Sequence, residues 1–112
     1  MNHSLELWQN ILPTELINHA YDLENYLGLF ELAWSKEDLM IILQILEKKR
    51  YLLLGGDVYK FVGNTIESTY DSWYFEGKDS FESVDTAQKY ISNYLNRNND
   101  GKYLFSLIIN ND

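Results

Sequence analysis

Few residues in this 112-residue sequence have types and spacings suited to chemistry. It has no cysteine, which excludes thiol catalysis, disulfides and cysteine-based zinc sites. Its two histidines, His3 and His19, lie far apart and lack a metal-binding spacing, so we interpret them as ordinary surface or half-buried side chains. Neither a nucleophile elbow nor a phosphate-binding loop occurs. We therefore expect no catalytic residues, no metal and no cofactor.

Two carboxylates on neighbouring segments are the best candidates for acid–base work. Asp57 follows Gly55-Gly56, and Asp71 lies on the segment that should pair with it. If the chain turns near Asn64, the two carboxylates would approach each other across a hairpin and could serve a small-ligand or enzymatic pocket. Alternatively, each carboxylate binds a backbone N–H at a bulge or pairs with Lys60. The pocket is our second hypothesis, because no catalytic motif accompanies it.

Aromatic side chains are concentrated on the same two segments. They are Tyr59, Phe61, Tyr70, Trp73, Tyr74 and Phe75. Strand alternation should send Trp73 and Phe75 to one face and Tyr74 to the other. Some of these rings must pack in the core, yet Tyr and Trp are also favoured anchors of protein interfaces. We predict a partner-binding surface formed by Asp57, Tyr59, Tyr70, Asp71, Trp73 and Tyr74.

The hydrophobic pattern predicts the elements that would position this surface. It indicates helices over 5–12, 14–28, 35–50 and 79–95, and strands over 51–62, 66–76 and 103–109. We expect an α+β fold in which a small, mostly antiparallel three-stranded sheet packs against helices, in the order α-α-β-β-α-β with a helical N-terminus. Residues 1–112 should form a single domain, with a helical N-terminal segment over 1–31 and an α-β-β-α-β core over 32–110.

Charge narrows the classes of partner. The chain carries 17 acidic and 9 basic residues, a net charge of −8, whereas binding to nucleic acid or to an anionic membrane requires clustered Lys and Arg. We therefore expect no nucleic acid and no membrane as partner. A mimic of DNA is disfavoured because Lys36, Lys60 and Lys78 interrupt the acidic residues. A basic protein partner suits the charge, and the edges of an open sheet leave a homodimer open.

No signal peptide or membrane-spanning run is visible in the sequence, which favours a cytoplasmic protein.

A family resemblance rests on two blocks, residues 54–59 (LGGDVY) and 70–74 (YDSWY), with Trp34 and the long apolar helix before them. Over about 32–109 the chain resembles bacterial immunity proteins of polymorphic toxin systems, the immunity protein forty group. The resemblance implies a cytoplasmic protein, without enzyme activity or cofactor, that binds a cognate secreted toxin domain and masks its active site.

Overall fold

The computed structural model describes residues 3–110, which form five helices and six strands. In chain order they are α1 (His3–Ile11), α2 (Thr14–His19), β1 (Tyr21–Asp22), α3 (Glu24–Leu27), β2 (Leu32–Trp34), α4 (Lys36–Lys48), β3 (Leu53–Val62), β4 (Thr65–Tyr74), α5 (Ser80–Arg97), β5 (Tyr103–Ser106) and β6 (Ile108–Ile109). The side chain of His3 lies outside the described residues, so its expected surface position stays a prediction.

The strands form one antiparallel sheet in the order β1-β2-β5-β3-β4, with β6 also paired to β3. The α+β class is confirmed, but the prediction of three strands in the order α-α-β-β-α-β is wrong. The strands that were missed, β1 and β2, are two and three residues long, too short to show alternation. The apolar segment 103–109 is divided at Leu107 into β5 and β6, and β5 lies between β2 and β3.

The helix predicted over residues 14–28 is also wrong. Helix α2 ends at His19 because Ala20 adopts extended backbone, with φ −70° and ψ 149°, and leads the chain into β1. Gly28 does end a helix, but that helix is the short α3. The φ of Gly28 is 71°, in the left-handed region that glycine adopts at little cost.

The longer helices bury apolar side chains at helical spacing against one face of the sheet. In α4 the buried residues are Leu39, Ile42, Leu43 and Leu46. Helix α5 is capped by Asp79, whose Oδ1 accepts hydrogen bonds from the backbone N–H groups of Phe81 at 2.8 Å and Glu82 at 3.3 Å. These helices therefore fix the covered face of the sheet.

The N-terminal helices pack into the same core. The ring of Trp8 meets the ring of Trp34 edge to face, with centroids 5.2 Å apart. The indole N–H of Trp34 donates to the carbonyl of Leu16 at 2.8 Å, and Lys49 Nζ donates to the carbonyl of Ile11 at 2.8 Å. The division into a segment over 1–31 and a core over 32–110 stays a prediction, although the described parts of both share this packing.

The opposite face of the sheet is only partly covered. A second apolar cluster, formed by Leu23, Ala33, Tyr59, Ile66 and Leu104, lies on that face. Helix α3 contacts β4 and follows directly after Leu23. Towards the other end of the face, Leu54, Tyr74 and Ile108 remain exposed. The β3–β4 hairpin thus has one end packed and one end accessible.

Candidate functional site

The site predicted from sequence lies on the β3–β4 hairpin, whose turn is at Gly63 and Asn64 as expected. Gly63 has a φ of 62°, which suits a tight turn. The register pairs Asp57 with Ser72 and then Tyr59 with Ser68. Residues 69–71 of β4 therefore stand opposite Val58 alone, which makes a bulge in this strand.

Three hydrogen bonds hold this bulge in shape. Thr69 Oγ1 donates to the carbonyl of Val58 at 2.9 Å and accepts from the backbone N–H of Asp71 at 3.1 Å. The N–H of Tyr70 donates to Ser68 Oγ at 2.9 Å. Tyr70 itself has a φ of 64°, a left-handed conformation that costs a residue other than glycine about 1–2 kcal/mol. Such strain occurs preferentially at functional sites.

The bulge presents its aromatic side chain to solvent. Tyr70 is 93% exposed and Tyr74 is 74% exposed, and Asp71 is exposed as well. We call these three residues the β4 surface. Strand β4 lies at the edge of the sheet, with Asp71 on the side of α5 and Tyr74 on the opposite face, so the β4 surface extends around this edge.

Two residues of the predicted surface are in fact buried. Tyr59 is 3% exposed and belongs to the cluster beside α3, whereas Trp73 is 8% exposed and belongs to the main core. Neither can contact a partner directly in this conformation. Trp73 instead packs on Tyr90 of α5, with ring centroids 6.1 Å apart, and its Nε1 lies near Gly56. Both residues support the hairpin from within.

Asp57 lies beside a hydrogen-bonded group on the half-covered face. Val58 points into the main core, so alternation places Asp57 on the same face as Tyr59. The N–H of Asp57 donates to Ser106 Oγ at 3.2 Å, and Ser106 Oγ donates to Glu31 at 3.4 Å. The Tyr59 hydroxyl donates to Glu31 at 2.6 Å. Asp57 is half-buried, and this burial raises the pKa of its carboxyl.

Glu31 was not anticipated by the sequence analysis. The segment before β2 was assigned no role, because a lone glutamate next to a short strand has no distinguishing pattern. Burial, followed by the hydrogen bond to Glu31, raises the pKa of the Tyr59 hydroxyl, so the phenol stays protonated and donates. Glu31 therefore links the loop after α3 to the two central strands.

Asp71 lies on the other side of the hairpin, against α5. Its Oδ2 atom accepts a hydrogen bond from the Tyr94 hydroxyl at 2.7 Å. Together with Tyr90, Arg97 and Asn98, Asp71 and Tyr94 line a shallow depression of about 380 Å³. Burial, together with hydrogen bonding to Asp71, raises the pKa of Tyr94 to about 12.

The carboxylates of Asp57 and Asp71 do not share the pocket that our second hypothesis required. Asp57 faces the Glu31 side of the sheet, and Asp71 bonds to a helix on the opposite side. Asp57 is not among the residues that line the depression beside Asp71. Lys60, the alternative partner of either carboxylate, forms an ion pair with Asp100 at 3.0 Å.

Tyr90, Tyr94 and Arg97 were missed as site residues. Tyr90 and Tyr94 lie on the apolar face of α5. Both are in contact with the core, and their centroids are 5.9 Å apart. The hydroxyl groups carry the polar part of the depression, and a helical pattern alone does not indicate where they point.

The described residues show neither a metal-binding cluster nor a membrane-spanning helix. In that part of the chain, no group of three or more His, Asp or Glu side chains is arranged to hold a metal ion. His19 Nδ1 lies 3.2 Å from Asp38 Oδ1 in an exposed pair between α2 and α4. None of the helices formed by residues 3–110 has the length and apolar character needed to cross a bilayer.

Comparison with known proteins gives one match. The model of a family described as immunity protein 40 matches residues 22–109, which include the second residue of β1 and the whole of β2 to β6. No curated protein and no solved structure matches the chain.

Proposed function

Because the chain belongs to the immunity protein 40 family, we propose that it binds and neutralises a cognate secreted bacterial toxin domain of a polymorphic toxin system. Protection comes from binding in the cytoplasm of the producing cell and not from catalysis. The β4 surface covers the active site of the toxin domain, and the acidic charge of the chain suits a basic partner.

The bulge at Tyr70 is the observation that carries this proposal. A large aromatic side chain is almost fully exposed there, although its backbone is strained and braced by three hydrogen bonds. Exposure of a tyrosine gains nothing for the isolated domain, because the ring buries no apolar area. Such a ring becomes favourable when a partner covers it, and tyrosine is enriched among residues that dominate interface energies.

The residues of the predicted surface then divide into two roles. Tyr70, Asp71 and Tyr74 contact the partner, and Asp57 contributes negative charge from the neighbouring strand. Tyr59 and Trp73, which are buried, hold the hairpin in position. A homodimer through the β4 edge would compete for the same surface, so we propose that the chain binds its toxin as a monomer.

The first experiment is a toxicity rescue with a binding measurement. The neighbouring gene is tested for a toxin domain. This domain is expressed alone and with the protein, and the dissociation constant of the purified pair is measured by calorimetry. We expect Tyr70→Ala to weaken binding at least about tenfold and Asp71→Lys to weaken it further, since an exposed anchor and a complementary charge are lost.

Matched controls carry the same substitutions elsewhere. Tyr26→Ala removes a tyrosine from α3 that is 40% exposed, and Glu15→Lys reverses an exposed charge on α2. Both should leave the dissociation constant within about threefold of the wild-type value. Folded Tyr70→Ala and Asp71→Lys variants that bind and rescue normally would show that the β4 surface is not the interface. Failure of the wild-type protein to bind or rescue would refute the function itself.

A further inference from the structure

We propose that the depression between β4 and α5 receives an arginine or lysine side chain of the toxin domain, with Asp71 as its counter-ion and Tyr90 as its wall. This inference rests on the proposed function, because it names the group that the partner inserts. It also makes a statement about the free protein that can be tested without the toxin.

The carboxylate of Asp71 has hydrogen-bond acceptors that can receive a cationic side chain of the partner. Its Oδ2 atom is occupied by the Tyr94 hydroxyl at 2.7 Å. No donor among the described residues bonds to its Oδ1 atom, and the ion pairs formed within that part of the chain do not include Asp71. A carboxylate can accept about four hydrogen bonds, so Oδ1 and the second lone pair of Oδ2 can accept N–H groups from a guanidinium or ammonium group.

The carboxylate is also held in place before any partner arrives. The bulge fixes the backbone of Asp71 through its N–H bond to Thr69, and the Tyr94 hydroxyl fixes the side chain. Tyr94 is 4% exposed, so its own position is set by the core. Little side-chain entropy would be lost on binding, which favours affinity.

The aromatic wall suits a planar cation. Tyr90 is half-buried. Its ring centroid lies 6.1 Å from that of Trp73 and 5.9 Å from that of Tyr94, so the three rings form a row with Tyr90 in the middle. A guanidinium group stacks on such a ring by cation–π attraction, worth about 0.5–1 kcal/mol at an exposed site and more when water is excluded. Burial raises the pKa of the Tyr90 hydroxyl most, the charge of Asp71 raises it next, and the charge of Arg97 lowers it, so both charges act at this ring.

Arg97 places a positive charge in the same depression as Asp71. It lines the same depression from the last turn of α5, is exposed, and forms no ion pair with a described carboxylate. Its positive charge should repel an incoming cation and compete for Asp71. If the inserted group were acidic, Arg97 would attract it and Asp71 would repel it. Removing the charge of Asp71 or of Arg97 should therefore have opposite effects on affinity for a basic and for an acidic group.

The experiment compares Asp71→Asn and Arg97→Gln in calorimetric titrations with the toxin domain. We expect Asp71→Asn to weaken binding about tenfold or more, and Arg97→Gln to strengthen it about threefold. Asp85→Asn, which removes the same charge from an exposed position on α5, should change the dissociation constant less than twofold. Thermal unfolding checks that each variant is folded.

A second titration uses the free protein and a small probe. N-acetyl-arginine amide, followed by NMR at the Tyr90 and Tyr94 ring signals, should cause saturable shifts that are lost in Asp71→Asn. The citrulline analogue, which is neutral and of similar shape, should cause none. If the toxin fails to bind the wild-type protein but the shifts with the arginine probe saturate, the proposed function is refuted, whereas the depression is still shown to bind an arginine side chain. If the toxin binds but both substitutions leave the dissociation constant unchanged, or if Arg97→Gln weakens binding, the inference is overturned.

Discussion

At the scale of single residues, Tyr70 combines a strained backbone with a side chain that packs against almost nothing. Its φ of 64° brings the side chain close to its own carbonyl, a crowding that glycine avoids. Because the ring is 93% exposed, no burial of apolar surface offsets this cost in the free protein. The free protein is therefore less stable than it would be with glycine at this position.

Tyr70→Gly should raise the free energy of unfolding by about 0.5–1 kcal/mol. Relief of the left-handed strain gains about 1–2 kcal/mol, and the larger entropy of glycine in the unfolded chain takes back up to about 1 kcal/mol. Urea denaturation measures the difference. Tyr74→Gly, at an exposed position in β4 with no positive φ, should instead destabilise the protein. Equal losses of stability in both variants would contradict the strain argument.

At the scale of elements, the β3–β4 hairpin depends on close approach of three strands. Gly56 lies between Trp73 of β4 and Ser106 of β5, and a Cβ atom at this position would clash with the carbonyl oxygen of Ser106 and lie 2.9 Å from Trp73 Nε1. Glycine at position 56 therefore permits a close approach of the three strands.

Gly56→Ala should lower the free energy of unfolding by about 3 kcal/mol or more, because the added methyl group must separate two paired strands. Gly63→Ala is the matched control. A Cβ there meets nothing within 4 Å, so only its φ of 62° opposes the change, at about 1 kcal/mol. Denaturant unfolding of both variants gives the comparison, and similar losses would show that the close approach at Gly56 is unimportant.

The hairpin was predictable from sequence because its signals are local. Gly63-Asn64 marks the turn, and alternation separates Trp73 and Phe75, which pack in or against the main core, from the exposed Tyr74. A helix start near residue 79 was predicted, and the side chain of Asp79 caps α5 there. Each of these features is decided by residues within a few positions of one another.

The remaining features depend on partners that are distant in sequence. The bulge at Tyr70 follows from a register change that Thr69 secures by bonding to Val58. Tyr59 is buried because the segment around Leu23 covers it, and sequence reasoning had placed that segment in one long helix. Neither position carries a local signal, so the sequence could not predict that Tyr70 is exposed and Tyr59 is buried.

At the scale of the whole molecule, the hydroxyl groups of two buried tyrosines join separate parts of the fold. Tyr59 donates to Glu31, linking β3 to the loop after α3, and Tyr94 donates to Asp71, linking α5 to β4. Both bonds need a protonated phenol, because an ionised oxygen facing a carboxylate would be repelled. The stability of the fold is therefore coupled to pH on the alkaline side.

The free energy of unfolding should fall as pH rises from about 10 to 12. The pKa of Tyr94 is about 12 in the folded protein, above its ordinary value of 10, so the folded state holds a proton that the unfolded state loses. The contribution is complete below pH 10 and disappears as pH passes through 12. Urea unfolding at pH 8, 10 and 11 measures this slope.

Tyr94→Phe provides the control for the alkaline effect. It should cost about 1–2 kcal/mol at pH 8, where the hydrogen bond to Asp71 is lost, and should make the decline above pH 10 shallower. A free energy of unfolding that stays constant from pH 8 to 11 in the wild-type protein would contradict the role given to these hydroxyls.

The central position of β5 has a consequence for when the sheet is completed during synthesis of the chain. The strand joins β2 to β3, and its Ser106 holds both Asp57 and Glu31, yet it is translated after both of those strands. A growing chain can form helices and the local hairpin early, but the two halves of the sheet have no common strand until residues 103–106 leave the ribosome. The complete sheet should therefore form in one late step, and a chain released before that point should lack the strand that joins its two halves.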